Sequence, residues 1–433
     1  MTSTLRSVVI ASTLGSVIEW YDLFVYGSLV VVLAGVFFPV QNPSVSLLYA
    51  LAAFVAGAAV RPVGGAVFGR IGDKVGRKRA FVLTVLVMGL GATVTGLLPT
   101  YQEIGVLAPL LLVFVRIVQG LALGGEYGGA VIYIAEHTEA KSRGLWTSVT
   151  QASATVGLLL STAVVFVSRL SLSPSAFTSW GWRVPFVLSS VLILMAYFAR
   201  RRLEETPPFT SLKDEGNLSS SPLRESVADR ANLRTMLVAL VVVSGSSVIW
   251  HTAQFYSTVF MQSTLKIDLL TSTSVILVAL ALAAPLYMVF GWLSDRLGRL
   301  KLLLLANFLG ALAILPLYVG MKAASSPPNI PLLVLLVFAQ TALGAMAYGP
   351  LAAYLTELFP TRIRYTSLSI PYGIGTGDIG DGTLLIAPAL ALATGNIFAG
   401  LAWSSLVPLF TLVVSLAFAR GTGRFGKSPT AAA

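Results

Sequence analysis

The chain contains no cysteine, two histidines and few charges of either sign. Without cysteine there are no disulfides, no thiolate metal sites and no cysteine nucleophile. Two histidines without zinc-type spacing leave no metal constellation, so neither metal nor cofactor is expected. Asp, Glu, Lys and Arg make up 11% of the 433 residues, where a soluble domain carries about 25%. A water-facing surface for so long a chain cannot be assembled from so few charges. That excludes a soluble enzyme, a disordered chain and a nucleic-acid-binding domain. A GxxxxGK[ST] phosphate loop is also missing, so ATP is not the energy source.

What the sequence has is apolar length. Hydrophobic residues make up 56% of it, and the mean hydropathy is +0.83. A helix crossing a bilayer needs about 20 mostly apolar residues. Twelve such stretches are read, at 10–37, 46–69, 79–99, 106–135, 144–168, 184–200, 235–262, 270–293, 301–321, 331–356, 366–393 and 396–419. The first is interrupted by Glu19 and Asp22 and lacks a cleavage-site pattern. It reads as a retained span, not a removed signal peptide. One polar gap, Arg200 to Arg234, holds Thr206, Pro207, Pro208 and the serines 219–221. That is a linker composition. The expected organisation is a bundle at 1–203, a cytoplasmic linker at 204–233 and a second bundle at 234–433.

The net charge is +11, from 29 Lys and Arg against 18 Asp and Glu. In a soluble protein such an excess would point to nucleic acid; here its placement explains it. With both termini on one side, 23 basic residues fall in segments on that side. Four fall on the other, Arg169, Arg183, Lys266 and Lys322, and Arg61 and Arg116 lie inside spans. The positive-inside rule then sets both termini in the cytoplasm. The expected setting is the plasma (inner) membrane, multi-pass, with the lipid bilayer as surroundings, no nucleic acid, and a monomeric chain.

The sequence repeats itself. Gly69-Arg-Ile-Gly-Asp73-Lys-Val-Gly76-Arg77 follows span 2, and Gly291-Trp-Leu-Ser-Asp295-Arg-Leu-Gly298-Arg299 follows span 8, at an offset of 222. Glu136 and Arg143 follow span 4, and Glu357 and Arg364 follow span 10, at an offset of 221. Two motifs at nearly one offset make the halves parallel repeats, with a solute site expected between them near the midplane. In each loop the glycines permit a tight turn and close helix approach. The Asp can face the positive end of a neighbouring helix or pair with the Arg four residues on. The functional reading is a cytoplasmic latch that forms in one arrangement and breaks in the other. The plainer reading is a well-made turn with snorkelling basic residues.

These loops resemble the signature loops of the major facilitator superfamily. Glu19-Trp-Tyr-Asp22, Arg61-Pro-Val-Gly-Gly65, Arg116-Ile-Val-Gln119-Gly120, Gly124-Gly-Glu126-Tyr-Gly-Gly129, Ala135-Glu-His-Thr138 and Glu357-Leu-Phe-Pro-Thr-Arg362 narrow the resemblance to its metabolite:proton symporters. The resemblance implies an all-α membrane protein of twelve transmembrane helices in two six-helix bundles. It also implies alternating access, and uptake of a small organic acid or zwitterion coupled to proton entry. Span 11 departs from the pattern by carrying two aspartates, Asp378 and Asp381, among glycines.

A charge near the bilayer centre costs at least about 2.5–3.5 kcal/mol on insertion scales, so it faces a cavity or a partner. Five acids, Glu19, Asp22, Glu126, Asp378 and Asp381, stand against Arg61, Arg116 and His251. Glu19, Asp22, Arg116 and Glu126 are the proton-coupling candidates. The bundle arrangement that the resemblance implies puts spans 1 and 4 together, with Arg116 meeting Glu19 or Asp22 in a coupling pair; the alternative is a static ion pair between helices. Glu126 is either a second proton site or the cap of a glycine-broken span 4. Arg61, near the inner end of span 2, reads as a packing or gating residue. Tyr26, Gln119, Trp250, His251, Gln254, Asp378 and Asp381 are the cavity candidates. The two aspartates either bind a cation or proton, repel dicarboxylates, or cap a bent helix. The competing function is a proton antiporter exporting cationic or amphipathic compounds. A passive facilitator would not need buried carboxylates, and an enzyme would need a nucleophile or metal that is not present.

Overall fold

The computed structural model describes residues 3–201 and 204–421. Arg202, Arg424 and Lys427, counted above among the cytoplasmic basic residues, lie outside the described residues. The side chains of Arg6 and Arg420, counted with them, also lie outside what is described.

Among the described residues, eleven helices are long and apolar enough to cross a membrane. In chain order the crossing segments are α1 (Ser3–Phe37), α2 (Pro43–Lys74), α3 (Arg77–Leu97), α4 (Leu107–Glu136), α5 (Arg143–Ser171) and α6 (Val184–Arg201). Then come α7 (Arg230–Thr264), α8 (Leu269–Leu297), α9 (Arg299–Ala323), α10 (Ile330–Leu358), α11 (364–394) and α12 (Leu401–Gly421). The twelfth crossing, α11, fails the apolar test because glycines, hydroxyls and two aspartates dilute it, yet it is helical from end to end. The linker is not featureless: Pro207–Asp214 and Pro222–Ala228 are short helices, each begun by a proline that needs no hydrogen-bond partner there.

Four crossings are irregular where they matter. α2 is interrupted at Val60, because Pro62 lacks the N–H that would continue the ladder. α10 turns at Gly349-Pro350 for the same reason. α7 and α11 contain π-helical stretches, at Thr252–Tyr256, Phe260–Thr264 and Ile374–Asp381. Such stretches widen a helix and concentrate at functional sites.

The outer surface carries large exposed apolar residues, among them Leu90, Phe114, Met195, Leu312 and Phe410. In water these would be a liability; against lipid they are the right surface. The inner surfaces form one continuous apolar cluster that joins the two halves. We call the end bearing the repeated loops the basic end.

Candidate functional site

The basic end is closed by two matching contacts between the halves. Each repeated loop turns at a glycine with left-handed backbone, Gly76 at φ 135° and Gly298 at φ 100°, a conformation strained for any side chain. Each loop's Asp then caps a helix of the other half. Asp73 accepts the N–H groups of Tyr365 (3.3 Å) and Thr366 (2.9 Å) and the Thr366 hydroxyl (2.7 Å) at the start of α11. Asp295 accepts the N–H groups of Gly144 (2.8 Å) and Leu145 (2.9 Å) at the start of α5. Each Asp also pairs with the Arg four residues on, Arg77 at 2.9 Å and Arg299 at 2.8 Å. Those arginines donate across the seam to equivalent carbonyls, Thr361 at 2.9 Å and Ala140 at 3.1 Å. Glu136 pairs with Arg364 at 2.9 Å; Glu357 pairs with Arg143 at 3.4 Å and Arg299 at 3.2 Å. Gly69 and Gly291 admit the close approach: an added Cβ would lie 2.9 Å from Thr366 Cα or 2.5 Å from the Gly144 carbonyl oxygen.

Above this seal lies a buried ion cluster that differs from the expected one. Arg200, wholly buried, pairs with Glu19 at 2.5 Å and Glu126 at 2.8 Å. It also donates to the Phe81 carbonyl at 2.9 Å and stacks on the Phe81 ring at 3.4 Å. Thr84 donates to Glu126 at 2.7 Å. Glu19 therefore meets Arg200, not Arg116. Nor does Glu126 cap a broken span, because α4 is a continuous helix. Sequence reading counts Arg200 among the basic residues at the inner end of span 6, not among the buried charges. The signal for its burial was available: Arg200 continues the Ser189, Ile193, Ala196 face, all buried, at helical spacing.

Arg116 is left without an acid. It donates to Gln119 at 2.9 Å and lies over the Tyr26 ring at 3.9 Å and the Phe54 ring at 5.6 Å. Its Nε and Nη2 have no hydrogen-bond partner, although it is only 3% exposed. Gln119 in turn donates to the Met88 carbonyl, and Tyr26 to the Ala50 carbonyl. Asp22 is wholly buried, beside the Ser189 hydroxyl and farther from Arg116, with neither oxygen in a well-formed hydrogen bond. The three-residue spacing of Glu19 and Asp22 thus hides two environments, one paired and one not.

The second half supplies the facing wall. Trp250 and Gln254 of α7 both donate to the Tyr287 hydroxyl, at 2.6 and 2.9 Å. Thr155 of α5 donates to the Gln254 carbonyl at 3.1 Å and lies 2.7 Å from the same hydroxyl. Phe24, Phe255 and Tyr348 surround the Trp250 ring at centroid distances of 5.7, 6.3 and 5.6 Å. Tyr127 and Tyr372 stack across the halves at 3.4 Å. Thr155, Tyr287, Tyr348 and Phe255 were not singled out from sequence, since a lone hydroxyl or ring in an apolar helix carries no pattern.

Asp381 and His251 stand together, but not as open cavity wall. Asp381 contacts Arg61 of α2 and His251 of α7, each at 2.5 Å. Arg61 is 4% exposed and reaches α11 instead of snorkelling to the basic end. Asp381 does not cap a helix. Asp378, one turn earlier, is half-buried and has no ion pair among the described residues.

The space left in the centre is small. A void of about 10 Å³ lies among Ser28, Thr162, Gln254, Phe255 and Thr273. Toward the end opposite the basic one, a vestibule of about 600 Å³ opens among Val31, Gly35, Val40, Leu47, Ser263 and Lys266. Lys266 is the charged residue that lines it. Beside the small void, the Phe255 ring fills the position that a Cβ on Gly27 would take. The molecule is sealed at the basic end and opens into the vestibule at the far end.

The sugar (and other) transporter family matches residues 8–232 and 215–419. The inner membrane metabolite transport protein YhjE of Escherichia coli is 33% identical over 86% of this chain and 84% of its own. The glycine betaine/proline/ectoine/pipecolic acid transporter OusA of Dickeya dadantii is 31% identical over 98% of this chain and 83% of its own. Among solved structures, the major facilitator proton:xylose symporter XylE, bound to 6-bromo-6-deoxy-D-glucose, superposes with a TM-score of 0.71 at 19% identity, covering 96% of both chains. These relatives are transporters, not enzymes. The fold is the two-bundle major facilitator fold, and the chain belongs to the sugar (and other) transporter family of the major facilitator superfamily.

Proposed function

We propose that this protein is a proton-coupled symporter for a small carboxylate or zwitterion. The observation that carries the reading is Arg116. A buried guanidinium costs several kcal/mol to desolvate, and stacking on an aromatic ring returns about 2 kcal/mol. The balance calls for an anion, and the two unpartnered N–H positions of Arg116 offer it a fork. A solute carboxylate fits that fork. The aromatic wall of Trp250, Phe24 and Phe255 gives a cationic or methylated head a π surface. Lys266 at the vestibule favours entry of anions. One relative's name, a betaine and proline transporter, agrees with the zwitterion class.

Coupling follows from Asp22. When the solute occupies Arg116, Asp22 loses the field of its nearest cation and carries its proton through the buried state. Release of either ligand frees the other. Closure of the vestibule and parting of the Asp73 and Asp295 seals would then expose the site at the basic end. In this reading the basic end is cytoplasmic with both termini, the membrane is the inner membrane, and a single chain carries a whole site. The bundles run 1–203 and 234–433, with 204–233 as linker. An antiporter for organic cations fits less well, because Asp381 is already held by Arg61 and His251.

The test is solute-driven proton movement in proteoliposomes, with an internal pH dye and a panel of carboxylates, zwitterions, sugars and organic cations. Acidification on adding a carboxylate or zwitterion is expected. Asp22→Asn abolishes accumulation and spares exchange. Alkalinisation by an organic cation would replace symport with antiport, and uptake without any pH change would reduce the protein to a facilitator.

A further inference from the structure

The three-membered contact of Arg61, Asp381 and His251 has no part in the coupling scheme above, and its geometry makes a demand of its own. The Nδ1 of His251 lies 2.8 Å from the Ser247 carbonyl oxygen. A carbonyl only accepts, so Nδ1 carries a hydrogen. The Nε2 of the same ring lies 2.5 Å from Asp381 Oδ1. Two proton-free acceptors do not approach so closely, since even an N–H···O bond spans about 2.7–3.2 Å. One proton therefore lies between ring and carboxylate, whichever of the two is written as its owner. The other oxygen of Asp381 is 2.5 Å from Arg61 Nη2. Asp381 is 1% exposed, Arg61 4% and His251 5%.

We propose that His251 and Asp381 form a second proton-carrying site, and that its proton moves with the solute and the Asp22 proton, two per cycle. This rests on the symport reading. The proton enters from the vestibule side onto the Asp381–His251 pair and leaves from the same pair toward the basic end. No bond other than O–H or N–H forms or breaks. The pair can give up its proton only by opening. Without it, the lone pair of Nε2 would face a carboxylate at contact distance, so α7 and α11 would part there. Asp381 would then keep Arg61 as its partner and tie α11 to α2. With the proton on Asp381 the tie to Arg61 weakens. Protonation thus exchanges a contact between the bundles for one within the second bundle, as a coupling site requires.

The fold supports this use. α11 approaches α2 closely enough that a Cβ on Gly377 would lie 2.7 Å from the Ala58 carbonyl oxygen, and one on Gly380 3.0 Å from His251 Nδ1. The pair sits at the end of the π-helical Ile374–Asp381 stretch, and His251 immediately precedes that of α7. Irregular backbone on both sides permits the local shift that separation needs. The other charged or titratable groups facing the pair are Arg116 from α4, Tyr348 from α10 and Asp378 from α11 itself. Phe255 packs beside the ring, 6.4 Å from His251 between centroids.

The test is the dependence of equilibrium solute accumulation on an imposed pH gradient, with a neutral zwitterion at clamped membrane potential. The exponent of that dependence counts the protons. Two is expected for the native chain and one for His251→Gln and for Asp381→Asn. An exponent unchanged in a variant that still transports overturns the second site and leaves symport standing. An exponent of zero in the native chain fails the symport reading itself. Where a variant does not transport, histidine ring ¹⁵N spectra decide. In the His137→Gln background His251 is the only histidine left. Asp381→Asn is expected to change the ring ¹⁵N and N–H signals of His251, because the proton shared at Nε2 loses its carboxylate partner; an unchanged ring spectrum overturns the proposal.

Discussion

Arg116 and Arg200 show how the same residue type serves two ends. Arg200 has two carboxylates, a carbonyl and a ring around it; Arg116 has one amide and two rings. The first has acids to match its charge, although its Nε is unpartnered, and the second has none. Removing a partner from a buried, charge-matched cluster costs about 3–5 kcal/mol, because the remaining charges stay buried. Arg200→Ala should therefore lower the thermal midpoint and yield of the purified protein. Adding Glu19→Gln and Glu126→Gln to it should recover much of the loss. Arg116→Ala should behave oppositely: near-native stability, with solute KM raised about ten- to a hundredfold, the worth of a charge-assisted hydrogen bond of roughly 1.5–3 kcal/mol. Arg116→Lys should recover only part of this, since an ammonium lacks the fork. Stability curves and uptake kinetics on the same preparations separate the two patterns. The sequence exposed the presence of buried charge but not its pairing. Glu19 and Asp22 lie one helical turn apart, and only the fold decides that Arg200 reaches the first and leaves the second alone.

At the scale of elements, the seal is the part most legible in the sequence. Its chemistry is local: a glycine with left-handed backbone, an Asp four residues before an Arg, and the whole repeated at a fixed offset. The structure sets Asp73 and Asp295 on the first turns of α11 and α5, where each also keeps its Arg. The π-helical stretches were not legible, because they depend on what α7 and α11 pack against, not on their own composition. The glycines of α11 announced close packing yet gave no partner, and the pairing of Arg61 with Asp381 came into view only with the fold. Loss of a capping side chain costs about 1 kcal/mol, with a range of about 0.5–2. Asp73→Ala or Asp295→Ala should accordingly favour opening of the basic end. The chain has no native cysteine, so one introduced thiol reports alone. Ser148 is wholly buried at the α5–α8 contact. Ser148→Cys should react slowly with a small maleimide from the basic side. Either capping substitution should raise that rate about fivefold, and both together more, at about 1.4 kcal/mol per factor of ten. Unchanged rates would leave the two aspartates as parts of ordinary turns.

For the whole molecule, the pseudo-symmetry of the seal and the asymmetry of the cavities argue for alternation. The basic end is held by paired contacts related by the repeat, whereas Phe255 packs on Phe24, Phe54 and Trp250 beside the small void and the far end opens into the vestibule. Polar capping is directional and breaks cleanly; ring packing slides. If the bundles rock as rigid bodies, weakening one end must close the other. If the capping aspartates only stiffen the protein, weakening them loosens both ends together. Gly35 lines the vestibule, and a Cβ added there meets nothing within 4 Å, so Gly35→Cys is a benign reporter for the far end. In the Asp73→Ala, Asp295→Ala background, labelling at position 148 should rise and labelling at position 35 should fall. The two rates should move in opposite directions, because one equilibrium governs both, with the larger factor at position 148, which is exposed only in the minor state. A zwitterion that binds Arg116 should then act on both reporters through the same equilibrium. Rates that rise together at the two positions would refute alternation between these ends and leave the seal as a stabilising clamp.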